Sequence, residues 1–66
     1  MNITLNGNTK PLNPDQRLQA LLIELGLSDK RVAVEVNGMI VPRSQHQDFA
    51  LQNGDQVEIV VAVGGG

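Results

Sequence analysis

The chain has 66 residues, no cysteine, 41% hydrophobic residues and a formal net charge of −2. A domain of about 60 residues buries only ~60% of the surface its unfolded chain exposes, and without cysteine no disulfide or zinc–thiolate staple adds to so lean a core. Five Lys and Arg residues, a lone aromatic (Phe49) and no long apolar run argue against a nucleic-acid interface and against a membrane span.

The opening Met1-Asn2-Ile3-Thr4 lacks the basic n-region of a signal peptide, so a cytoplasmic protein, monomeric when free, is expected. Asn2 to Asn6 alternates, with Ile3 and Leu5 on one face and Asn2, Thr4 and Asn6 on the other, which predicts a half-buried strand. Asn6-Gly7-Asn8 supplies the positive φ of a tight hairpin, and Thr9 to Leu12 is the return strand. Pro11 cannot donate to a ladder, which puts that strand at a sheet edge. Asn13-Pro14-Asp15-Gln16 reads as a helix start, with Asn13 as N-cap, Pro14 at the first helical position and Gln16 as the return half of a capping box. Leu18, Leu21, Leu22 and Leu25 then form one apolar stripe. Gly26 ends the helix, and Leu27 folds back on Leu22.

Val32, Val34 and Val36 share a face of the next strand, with Ala33 and Glu35 opposite. Asn37-Gly38 begins a hairpin into Met39-Ile40-Val41. A two-residue turn places Met39 opposite Val36, whereas a three-residue loop with a bulge places Ile40 there. Pro42 stops the strand, and Arg43 to Phe49 reads as an irregular or single-turn stretch. Asn53-Gly54-Asp55 turns the chain into a last strand, Gln56 to Val63, which points Val57, Ile59, Val61 and Val63 inward and Glu58, Val60 and Ala62 outward. One helix with one apolar stripe must cover one face of a sheet. The pattern predicts an α+β, β-grasp (ubiquitin-like) domain over residues 1–63, a four- or five-stranded mixed sheet on one helix, followed by a flexible tail, Gly64–Gly66.

Chemistry has little to draw on inside the domain. His46 lies in the polar run Ser44-Gln45-His46-Gln47-Asp48, with only Asp48 to help it hold a metal, and reads as a surface histidine. Ser28 and Ser44 have no base beside them, and no phosphate-binding glycine loop is present. Glu24, Glu35, Glu58 and Arg43 read as solvated charges. Val60 and Ala62 are apolar on a face where Glu58 is polar. They are either scattered surface residues or a docking patch, and the second reading is preferred because the chain has no other helix to cover that face. Mild acidity points to a partner with a basic or neutral surface.

The remaining feature is the end, Ala62-Val63-Gly64-Gly65-Gly66. Glycine has no Cβ to clash with a narrow channel and leaves a terminal carbonyl open to approach. A carboxylate is a poor electrophile until converted to a mixed anhydride. The domain shows no nucleotide site, so another protein would have to activate it, with the tail threaded into a foreign active site.

Val36 to Gln45 (VNGMIVPRSQ), Leu51 to Val60 (LQNGDQVEIV) and the terminal glycines carry a resemblance, over the whole chain, to the sulfur carriers of thiamin biosynthesis (ThiS type). The family position matching Met39 is often polar, which implies Ile40 inside and Met39 outside. The resemblance implies that an E1-like enzyme uses ATP and magnesium to adenylate the Gly66 carboxylate. Sulfur originating from a cysteine desulfurase then gives a thiocarboxylate, and thiazole synthase takes that sulfur. Gly66 would be the covalent site, Gly64 and Gly65 the passage residues, and Val60, Ala62, Met39 and Glu58 the docking residues. The carrier would be a co-substrate and not an enzyme, binding no cofactor or metal of its own. Related carriers serve molybdopterin synthase or cysteine synthesis, and ubiquitin-like modifiers share the same tail.

Overall fold

Period-two alternation builds five strands: β1 (Asn2–Leu5), β2 (Asn8–Pro11), β3 (Val32–Val36), β4 (Met39–Ile40) and β5 (Gln56–Val61). The structure, a computed structural model, describes residues 1–62; Val63 and the expected tail Gly64–Gly66 lie outside the described residues. The strands form one sheet in the order β2-β1-β5-β3-β4, with β1 and β5 parallel and the other pairs antiparallel. Among the described residues one α-helix, α1 (Leu18–Glu24), packs on one face, and a 3-10 turn (Arg43–Gln45) lies between β4 and β5. The architecture is the α+β β-grasp.

Both hairpins close on two residues. Asn6 and Gly7 have φ of 48° and 85°, and Asn37 and Gly38 have φ of 54° and 84°. Two successive positive φ values match the strand twist, and Asn-Gly supplies them at least cost. The second turn settles the β3–β4 register: Val36 pairs with Met39, and Glu35 pairs with Ile40. Ile40 therefore lies on the outer face and is 63% exposed, contrary to the inward position expected for it. Met39, expected on the outer face, lies instead on the helix-side face opposite Val36, although at the sheet edge it is still exposed. Pro11 sits on the opposite edge strand, where a missing N–H costs nothing.

The core is Ile3, Val34, Val36, Val57 and Ile59 from the sheet, Leu18, Leu21 and Leu22 from α1, and Leu12, Val41 and Leu51 from the connections. Each fully buried aliphatic side chain contributes about 1.5–3 kcal/mol relative to exposure. Val61, expected inside, lies at the end of β5 and is 37% exposed.

The helix closes as its sequence dictates. Leu27 N–H donates to the Leu22 carbonyl (2.8 Å), Gly26 N–H donates to the Ile23 carbonyl (3.0 Å), and Gly26 has φ 74°, a Schellman motif. Its start differs from expectation. Asn13 to Gln16 form a turn, with Gln16 N–H donating to the Asn13 carbonyl and Asp15 at φ 57°. The Gln16 side chain still accepts from Asn13 N–H (3.1 Å), so the return half of the capping box exists without the helix. Arg17, at ψ 151°, is the N-cap and makes no side-chain cap bond. The orphan amides of the first turn go instead to the later loop: Leu18 N–H to the Phe49 carbonyl (2.8 Å) and Gln19 N–H to the His46 carbonyl (3.0 Å).

That loop also corrects the reading of His46. The residue is 3% exposed, and its Nε2 lies 3.1 Å from the Val41 carbonyl. The 3-10 turn after Pro42 rolls His46 under the sheet edge while Ser44, Gln45, Gln47 and Asp48 face solvent.

Candidate functional site

The helix covers one face of the sheet, and the other face has no cover among the described residues. The β3–β5 register sets Ala33 beside Val60 and Glu35 beside Glu58, and β4 adds Ile40 next to Glu35. Val60 is 62% exposed, and Ala62, Glu58 and Glu35 are exposed. By alternation along the strand Ala62 continues the Glu58–Val60 row.

The structure thus brings together three of the four residues expected to dock a partner, Val60, Ala62 and Glu58, and separates Met39 from them. Ile40 takes its place, and Ala33 and Glu35 complete the patch. The Asn-Gly turn carried that information, since a two-residue loop fixes which residue of β4 faces outward.

Glu35 and Glu58 are directly opposed across the β3–β5 ladder. Like charges so placed weaken a sheet. Neither is in an ion pair among the described residues, where Lys10–Glu24 is the ion pair present. The patch is an apolar border around two unneutralised carboxylates, and a cationic group laid on it would relieve their repulsion.

The last strand is firmly held at its exit. Asn6 reaches across to donate to the Ile59 carbonyl (3.2 Å) and to accept from Ile59 N–H (2.8 Å). Val61 pairs with Val32, and Ala62 N–H donates to the Arg31 carbonyl (2.9 Å). Four residues follow Ala62 in the sequence. Gly64, Gly65 and Gly66 themselves lie outside the described residues.

Among the described residues no group of His, Cys, Asp and Glu is placed to hold a metal ion, and no helix is long and apolar enough to cross a membrane. The lone histidine is occupied with the Val41 carbonyl. The groups that acid–base or nucleophilic catalysis draws on are not assembled among the described residues.

The model of the ThiS family matches residues 3–66. The thiazole synthase of Paramagnetospirillum magneticum (strain ATCC 700264 / AMB-1) is 41% identical over 66 residues, which is 100% of this chain and 20% of that protein. The chain therefore spans about a fifth of the length of that relative. The ycf40 protein of Porphyra purpurea is 34% identical over 67 residues, covering 98% of this chain and 94% of that one. The crystal structure of a thiamine biosynthesis protein (ThiS) from Geobacter metallireducens superposes with a TM-score of 0.82, at 30% identity and full coverage of both chains.

Proposed function

The chain belongs to the ThiS family, and from that premise we propose that it is a sulfur carrier of thiamin biosynthesis whose working group is the Gly66 carboxylate. The observation that carries the reading is the family match, which runs through the three terminal glycines. Within the domain the described residues offer no rival chemistry. Ala62, the last described residue, is anchored through its N–H to the Arg31 carbonyl, and in this reading the activation falls to another protein.

An E1-like enzyme transfers AMP from ATP, with magnesium, onto the Gly66 carboxylate and releases pyrophosphate. The acyl-adenylate is the electrophile that a carboxylate alone is not. Sulfur supplied through a cysteine desulfurase arrives as a persulfide whose outer sulfur displaces AMP to give an acyl disulfide, and a thiol reductant then cleaves the S–S bond and leaves the thiocarboxylate. Thiazole synthase is the acceptor, a reading supported by relatives named thiazole synthase that contain a domain like this one in the same chain. The protein is consumed and regenerated as a co-substrate; ATP and magnesium belong to the activating partner. Gly64 and Gly65 let the tail pass a narrow channel because they present no Cβ. The outer-face patch around Val60, Ala62, Ile40, Glu35 and Glu58 docks the partner and fixes where the tail enters.

Incubation with the activating enzyme, MgATP and a sulfur donor tests this reading by intact mass. One oxygen-for-sulfur exchange located at Gly66 is expected. An amide bond to a lysine of another protein, with no exchange, would make the chain a modifier instead of a carrier.

A further inference from the structure

We propose that the groove between the end of α1 and the 3-10 turn is a binding site for an oxyanion of the phosphate or carboxylate class. Three of the chain's five Lys and Arg residues, Lys30, Arg31 and Arg43, line one cavity of about 130 Å³ there. Ser28 adds a hydroxyl to the wall, and buried His46, fixed through Nε2 to the Val41 carbonyl, forms part of the floor. A second polar cavity of about 290 Å³ adjoins it and shares Gln19, Ser28 and Arg43. Among the described residues no carboxylate lines either cavity: Asp29 and Asp48, the nearest in sequence, are absent from both. Nor do the three cations have an ion-pair partner among the described residues.

So dense a positive site is unexpected on a chain of net charge −2. Unpaired cations around a concave donor-lined wall raise the local concentration of anions and hold one by charge-assisted hydrogen bonds. Arg43 supplies a planar fork that matches two oxygens of a phosphate or carboxylate, and Lys30 and Arg31, which line the same cavity, supply further charge. The site lies at the root of the tail, since the Arg31 carbonyl accepts from Ala62 N–H. Two sources present the right chemistry: a phosphate group brought from outside, or the chain's own terminal carboxylate. The site stands on its own geometry, whether or not Gly66 is activated.

The test is titration of the full chain with inorganic phosphate at constant ionic strength, followed by amide ¹H–¹⁵N spectra. Saturable shifts centred on Ser28, Lys30 and Arg31 are expected, absent when chloride replaces phosphate. Arg43→Gln, at an exposed position that the fold tolerates, should weaken binding about tenfold, and Lys30→Gln should weaken it too. Lys10→Gln, on the far edge of the sheet, should not. The same chain ending in an amide identifies the source. Tighter phosphate binding by the amide supports the site with the chain's own carboxylate as its occupant; equal binding supports it with an external phosphate group. Shifts that never saturate, that chloride reproduces, or that Arg43→Gln leaves intact would overturn the proposal.

Discussion

Asn6 does two jobs with one side chain. It adopts the left-handed φ of 48° that the first hairpin needs, and its amide exchanges two hydrogen bonds with the backbone of Ile59. Asn6→Ala loses both bonds and keeps a conformation that a Cβ disfavours. A loss of about 2–3 kcal/mol in urea unfolding is expected, with Asn6→Gly intermediate because it relieves only the strain. Equal losses for the two variants would mean that strain contributes nothing. His46 is the second such residue. Its sequence neighbours are polar and solvent-facing, so a surface histidine is the natural reading, and a true one would tolerate His46→Ala within about 0.5 kcal/mol. The buried ring should instead cost about 2–3 kcal/mol, from the lost bond to Val41 and the cavity left behind. Chemical denaturation of the variant separates the two outcomes.

At the scale of elements, legibility follows locality. The helix end was readable because Leu22, Ile23, Gly26 and Leu27 satisfy one another within six residues. The helix start was not, because the carbonyls that serve its amides come from His46 and Phe49, far along the chain. Strand faces were readable from period two, but Ile40 depended on choosing between two turn lengths, and the resemblance pointed the wrong way. Val60, Ala62 and Glu58 were legible as one row; their union with Glu35 and Ile40 required the strand register. One contact between elements gives a pH signature. The Lys10 side chain on β2, and after it Gln16, hold the carboxyl of Glu24 on α1 below its ordinary value. A lowered folded-state pKa stabilises fully above the unfolded value, and that stabilisation is lost as pH falls through the folded value. The difference in melting temperature between the parent and Lys10→Gln should thus be steady near neutral pH and vanish in acid below the carboxylate range. A difference that persists unchanged in acid would show that Lys10 acts by packing alone.

At the scale of the molecule the described residues form a five-stranded mixed sheet with one helix on one face and an acid-centred apolar patch on the other. Val60→Asp tests that patch. At 62% exposure the new carboxylate stays solvated, so circular dichroism should match the parent and melting should fall by only a few degrees, from repulsion by Glu58 and Glu35. Binding to the activating enzyme or to thiazole synthase should fall by about tenfold or more, since an added negative charge meets the partner where an apolar contact stood. Unchanged affinity with an unchanged fold would remove the patch from the docking surface.

The central claim is that the Gly66 carboxylate is the reacting group, and a chain lengthened by one alanine tests it most directly. The extra residue moves the carboxylate outward by up to ~3.5 Å and sets a Cβ beside the reacting carbon. Near-attack geometry is far less forgiving, an error near 1 Å costing ~100-fold in rate. The added residue lies beyond the described domain, so the melting curve should not move. Intact mass after incubation with activating enzyme, MgATP and sulfur donor should show the oxygen-for-sulfur exchange in the parent and almost none in the extended chain. Normal exchange in the extended chain, without prior trimming back to Gly66, would contradict the account.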